Sequence, residues 1–280
     1  MEPKEYDSGQ KPAWCAGCGN FMLVHAVRQA LAELGKDPDK VVITSGIGCG
    51  SKLPHFIKTY GFESLHGRPL TVAMGVKLAN RELTVMAISG DGDAYGIGGN
   101  HFIHTCRKNP DITYIVQNNS VYGLTKGQYS PTSPKGFVSP TSPDGSVEPP
   151  VNPMAWAITT GATYVARAWY MDPQQLKDMI KGAIEHHGFS LVDVLMPCLT
   201  FNKVYGIDWY KERVYKLYGH DPNDRVAAME KAMEMDKLPT GLFYQEKRDV
   251  YGDELPKLNG PLYRQDVTRI DLTKAMKPLR

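Results

Sequence analysis

No long apolar run occurs in this sequence; no window approaches the eighteen or more apolar residues that a membrane-spanning helix needs, which argues against a helical membrane protein. An excess of one charge sign is missing too. Thirty-two Lys+Arg stand against thirty Asp+Glu, a formal net charge of +2, so electrostatics offer no case for a nucleic-acid partner. Cysteine is scarce, five in 280 residues, which excludes a disulfide-stapled secreted scaffold. The first twenty residues lack a basic start followed by an apolar stretch, so no signal peptide is expected. The glycines at 96, 98 and 99 have the wrong offsets for a dinucleotide fingerprint. No Gly-Lys-Ser completes a P-loop, and no nucleophile elbow appears. A cytoplasmic protein without membrane or nucleic-acid partners is the expectation, long enough to bury a core without disulfides or metal.

What is present alternates. Helical spacing of Phe21, Val24, Val27, Leu31 and Leu34 predicts a helix that Asn20 caps and Gly35 closes. Short apolar strands are predicted at 41–46, 83–89, 112–117, 163–169 and 189–195, with helices near 71–80, 98–107 and 173–186. Short buried strands between helices imply an α/β fold, a parallel sheet with helices on both faces. Ligands of such sheets sit beyond the carboxyl ends of the strands, where the polar signals here fall. Between 123 and 153 the periodicity stops, and Ser-Pro-Thr-Ser-Pro occurs twice, from Ser130 and from Ser139. A linker or a long ordered loop would fit; the strand pattern resuming at 163 favours the loop, and loops of this length in a compact domain are usually functional or disordered. Residues 1–200 read as the main domain and 201–280 as a less regular C-terminal extension. That extension is predicted to hold a helix near 223–236, a strand near 241–246 and a tail with Pro256, Pro261 and Pro278.

Cys15 and Cys18 stand in Trp-Cys-Ala-Gly-Cys-Gly, Cys49 follows one strand and Cys198 another. Loops distant in sequence converge on one edge of a parallel sheet, so these four offer a sulfur set for zinc or for a [4Fe-4S] cluster. A redox or structural CxxC with two unrelated cysteines is the plainer reading. Cys106, inside a predicted helix, reads as a small core residue.

Asp91 lies between two glycines directly after an apolar strand. Twenty-eight residues later Asn119 follows the next strand. The Asp91 carboxylate, the Asn119 side-chain oxygen and the Val121 carbonyl make half of an octahedral magnesium shell, with a diphosphate and water left to complete it.

Together these features resemble the thiamine-diphosphate-binding beta subunit of the 2-oxoacid:ferredoxin oxidoreductases. The resemblance rests on the stretches 14–20, 46–49, Leu65-His66-Gly67-Arg68, Gly90-Asp91-Gly92-Asp93-Ala94, Gly98-Gly99-Asn100-His101 and Asn118 to Gln128, which span about two thirds of the chain. It implies a thiamine-diphosphate-binding fold with one [4Fe-4S] cluster on Cys15, Cys18, Cys49 and Cys198, and Mg2+ on Asp91, Asn119 and Val121. It implies oxidative decarboxylation of a 2-oxoacid, transfer of the acyl group to coenzyme A as co-substrate, and electrons sent singly to ferredoxin. Leu124 resembles the wedge that keeps the cofactor bent; Gly48, Cys49, Ser51, Gly90, Gly92 and Asp93 would line its surroundings, with Ile47, Tyr122, Gly123 and Thr125 beside them. The family's activating glutamate belongs to an alpha subunit, commonly in an alpha2beta2 hetero-oligomer, so the chain alone is expected to be inactive. Lys52 and Lys126 are candidates for a substrate carboxylate, with 2-oxoglutarate slightly favoured over pyruvate, and His66 and Arg68 are further candidates. His101 and His104 are expected to face helix packing. A non-oxidative thiamine-dependent decarboxylase or synthase with a structural metal site is the competing reading, and a zinc-stapled scaffold a more distant one.

Overall fold

The computed structural model describes residues 1–253, 255, 261–266, 268 and 273–277. The apolar runs become strands: β1 Val41–Ser45, β2 Tyr60–Glu63, β3 Thr84–Gly90, β4 Ile112–Asn118, β5 Tyr164–Trp169, β6 Phe189–Leu195, β7 Val214–Lys216 and β8 Leu238–Gln245. They form one sheet in the order β2-β1-β3-β4-β6-β5-β8-β7. The first six run parallel; β8 pairs antiparallel with β5, and β7 runs parallel to β8. β4 and β6 are buried along their whole lengths, as central parallel strands covered on both faces must be.

Alternate strand residues feed two apolar layers. Met86, Ile88, Ile115, Val192 and Val194 pack with α1 (Asn20–Glu33) and α5 (Pro173–Glu185). Val85, Ala87, Tyr114, Val116 and Leu191 pack with α2 (Pro69–Ala79), α3 (Gly99–Lys108), α4 (Pro153–Thr160) and α7 (Arg225–Ala232) on the other face; the short α6 (Ile207–Lys211) precedes β7. Among the described residues no helix is long and apolar enough to cross a membrane.

Two local expectations need correction. Gly19, not Asn20, occupies the cap of α1; Asn20 is its first helical residue, and its Oδ1 is buried without a hydrogen-bond partner. The helix starts early because the cysteine turn already bonds into it, Phe21 N to Cys18 O and Leu23 N to Gly19 O. Helix α4 falls where no element was predicted. Its apolar pattern is short and abuts the proline-rich loop, yet Asn152 caps Ala155 N at 3.1 Å, Pro153 opens the first turn and Gly161 closes it at φ +97°. Segment 123–152 contains no regular helix or strand, but it is cross-braced by Gly136 N to Ser146 O and Val151 N to Pro131 O. Pro256 and Pro278 of the predicted tail lie outside the described residues.

Candidate functional site

After β1 the chain turns to β2 on one side, and after β3 it turns to β4 on the other. The carboxyl ends of these two neighbouring strands are therefore a topological switch point, where an open parallel sheet leaves a crevice. The loops that follow β1, β3 and β4 meet there around an open cleft. Ile47, Gly48, Cys49, Gly90, Asp91, Gly92, Asp93, Asn119, Val121, Tyr122, Gly123, Leu124 and Thr125 all line it, joined by Gly50, His66 and Gln117. Ser51 does not; it is buried behind the wall, its hydroxyl without a partner.

The two aspartates do different work. Asp93 is buried and fully engaged: Ile47 N, Gly67 N and His66 Nδ1 reach Oδ1 at 3.0, 2.7 and 2.5 Å, and Ser89 Oγ donates to Oδ2 at 2.6 Å. It ties the loop after β1 and the His66–Gly67 turn to β3. Asp91 is also buried, and desolvation pushes its carboxyl up to about 6. Hydroxyls of Ser130 and Thr132 donate to Oδ2, the latter at 2.7 Å, while among the described residues Oδ1 meets only Asn119 N at 3.4 Å. Asn119 Oδ1 accepts from Val121 N at 3.2 Å. Asp91, Asn119 and Val121 thus converge on one wall, an oxygen donor set of the kind a hard cation takes. Gly92 makes room for the wall itself: a Cβ there would meet the Tyr122 ring at 2.3 Å, and Tyr122 donates to Gly92 O at 2.9 Å.

The cysteine loops converge beside the same cleft. Trp14 Nε1 donates to Cys49 O at 2.7 Å. Gly17, at φ +77°, lies against Leu199, and a Cβ on Gly19 would stand 2.9 Å from Met196 Cβ, so the CxxC turn rests on both flanks of Cys198. On Gly123 a Cβ would lie 3.6 Å from Cys198 Sγ and 3.9 Å from Cys49 Sγ. All five cysteines are free thiols, and Cys106 is buried in the core as expected. Burial pushes the Cys18 thiol up; the Asn20 N–H pulls it down, and Cys49, Cys198 and Cys15 push it up again. Burial likewise raises Cys49, with Cys198 adding to the rise and Lys52 opposing it. Among the described residues no group of three or more His, Cys, Asp or Glu side chains is close enough to hold a metal ion.

Of the substrate candidates, His66 lines the cleft. Lys52 is half-buried next to Cys49 and Lys126 is exposed on the turn after Leu124; neither is part of the lining. Arg68 is exposed and pairs with the half-buried His101, and His104 is exposed. Sequence reading missed Gln117, whose amide donates to Gly50 O at 3.3 Å, and Asn202, which clasps Asn119 O at 2.9 Å and Ser120 O at 3.3 Å. A polar pair ending an otherwise apolar β4 was the available signal for Gln117; Asn202 carried none.

Residues 46–194 match the family model "Thiamine pyrophosphate enzyme, C-terminal TPP binding domain", and residues 198–260 match the model of the C-terminal region of the pyruvate ferredoxin oxidoreductase beta subunit. The 2-oxoacid:ferredoxin oxidoreductase subunit beta of Saccharolobus solfataricus is 47% identical over 250 residues, 84% of this chain and 82% of the relative. The 2-oxoglutarate oxidoreductase subunit KorB of Mycobacterium tuberculosis is 45% identical over 199 residues, 71% of this chain and 53% of its own. A solved 2-oxoglutarate:ferredoxin oxidoreductase from Magnetococcus marinus, with 2-oxoglutarate, coenzyme A and succinyl-CoA bound, superposes with a TM-score of 0.88 at 44% identity, covering 90% of this chain and 87% of the other. Identity at this level over most of both chains reflects common descent, and the protein belongs to the beta-subunit family of the 2-oxoacid:ferredoxin oxidoreductases.

Proposed function

We propose that this chain, joined to an alpha subunit, oxidatively decarboxylates 2-oxoglutarate in preference to pyruvate, with coenzyme A as acyl acceptor and ferredoxin as electron acceptor. Thiamine diphosphate would occupy the cleft, with Mg2+ on Asp91, Asn119 and the Val121 carbonyl. A [4Fe-4S] cluster would sit on Cys15, Cys18, Cys49 and Cys198. One observation carries the reading: Cys49 and Gly123 belong to the cleft wall and to the cysteine group at once. Bound there, the cofactor supplies an electron sink for decarboxylation and the cluster a one-electron carrier beside it. The chain's own part is to hold both. Leu124, 44% exposed at the cleft, would present an apolar side chain against the cofactor. Asp93 fixes the His66 ring toward the lining. Lys52 and Lys126 flank the site and offer cations for a substrate carboxylate. We assign 1–200 to the cofactor and cluster and 201–280 to contact with the alpha subunit, in an alpha2beta2 assembly.

Support for 2-oxoglutarate comes from the ligands of the Magnetococcus structure and from the KorB relative. The test is co-expression with the alpha subunit and an anaerobic assay of carrier reduction. Reduction that requires coenzyme A, with a higher kcat/KM for 2-oxoglutarate than for pyruvate, is expected. Equal or better use of pyruvate would overturn the substrate assignment. Decarboxylation to an aldehyde without carrier reduction would overturn the reaction.

A further inference from the structure

The two Ser-Pro-Thr-Ser-Pro copies have the same sequence and different fates. In the second, Ser139 and Ser142 close a small turn on each other's backbone, and Thr141 is exposed. In the first, Ser130, Thr132 and Ser133 are all buried and all spend their hydroxyls on the metal wall. Ser133 Oγ donates to Ser120 O at 2.7 Å and accepts from Ser130 N at 2.8 Å, which pins the loop over the turn that carries Asn119. Ser130 and Thr132 then both reach Asp91 Oδ2. Thr132 Oγ1 also stands 2.9 Å from Asn118 Oδ1, so its single proton is shared between the aspartate and the end of β4. Two hydroxyls on one carboxylate oxygen leave the other, among the described residues, with only the long Asn119 N contact.

A carboxylate held in this way has one oxygen to give. Magnesium suits it, because its small octahedral shell takes carboxylates through single oxygens; calcium accepts six to eight ligands and binds carboxylates mono- or bidentately, so a carboxylate held to one oxygen denies it the bidentate mode. We propose that Ser130 and Thr132 are positioning residues that force Asp91 into monodentate coordination, so that the first Ser-Pro-Thr-Ser-Pro copy makes the cofactor site selective for Mg2+ over Ca2+. This rests on the cofactor site proposed above, and the two fail differently in one experiment.

The assembled enzyme, stripped of cofactor and metal with a chelator, is titrated with Mg2+ or Ca2+ at fixed thiamine diphosphate, and cofactor binding is read by calorimetry. In the wild type Mg2+ promotes binding at lower concentration than Ca2+. Ser130→Ala combined with Thr132→Val raises the Mg2+ requirement by about tenfold or more, in the range typical for lost outer partners of a metal ligand, while the Ca2+ requirement moves less and the selectivity ratio falls. Thr132→Ser, which keeps the hydroxyl, retains the wild-type ratio. Ser130→Ala alone reports the same ratio if the double variant does not assemble. Equal shifts for both ions, or an unchanged ratio, would show a structural seal and overturn the clamp. Cofactor binding by the wild type that is indifferent to either ion would overturn the site itself, and the clamp with it.

Discussion

Gly50 has no room for a side chain, since a Cβ there would stand 1.1 Å from Gln117 Oε1. Gln117 is itself buried and bound to Gly50 O, so it cannot swing aside without giving up its amide contact at the floor of the cleft. Gly50→Ala is expected to cost about 1–3 kcal/mol of stability, as overpacking of a filled interior does, and to abolish cofactor binding by the assembled enzyme. Denaturant unfolding and a cofactor titration check this; wild-type values in both would contradict the close packing. At this scale the site was legible where chemistry and position coincided. Asp91 and Asn119 each follow directly on an apolar strand, so their type and their place pointed the same way. Ser130 and Thr132 were not legible, because hydroxyls in a proline-rich run have no period, and their partner Asp91 lies 39 and 41 residues away.

The strand pair β5–β6 carries a buried ion pair in register, Arg167 opposite Asp193. Nε and Oδ2 are 3.3 Å apart, and Tyr95 and Asn118 satisfy the rest of the carboxylate at 2.9 to 3.3 Å. Burial pushes the Asp193 carboxyl up and the Arg167 charge opposes it. Arg167→Met should cost about 3–5 kcal/mol by leaving Asp193 buried and unpaired, and Arg167→Met with Asp193→Leu should recover part of that. Urea unfolding decides it, and a single-variant loss below about 1 kcal/mol would show that the pair contributes little. Just past the end of α5, burial holds the His186 imidazole below its ordinary range, with Thr163 Oγ1 at 2.8 Å. The unfolded chain then takes up a proton below about pH 6.5 that the folded one resists. His186 therefore costs nothing above that pH, and stability is lost as pH falls from there toward the lowered folded value. The urea midpoint should drop less between pH 8 and pH 5 in His186→Gln than in the wild type; parallel profiles would contradict this. Strongly apolar elements such as β4 and β6 were legible from their runs. Helix α4 and the three-residue β7 were not, since each is too short to show a period and is held by packing from elsewhere in the chain.

Five of the six parallel strands, with helices on both faces, followed from the alternation along the chain; the short, exposed β2 did not. The antiparallel return of β8 onto β5 did not either, because strand order depends on contacts between residues 74 to 81 positions apart. The C-terminal part is fastened to the domain at Val250 and Tyr251: Val250 is buried, Tyr251 N donates to Asn109 O at 3.3 Å, and Lys108 sits 4.6 Å over the Tyr251 ring. A truncation after Asp253 should weaken co-purification with the alpha subunit more than it lowers the unfolding midpoint. Normal assembly, read by light scattering after size-exclusion, would remove the tail from the interface. The central claim is the proposal that the cofactor cleft and the loops carrying Cys15, Cys18, Cys49 and Cys198 form one oxidative site. Its most direct test is an EPR spectrum of the dithionite-reduced protein purified without oxygen, with iron, sulfide and zinc quantified in the same sample. About four iron and four sulfide per chain, with a reduced-cluster signal, are predicted; one zinc and no iron would contradict the account and leave a non-oxidative thiamine-dependent enzyme in its place.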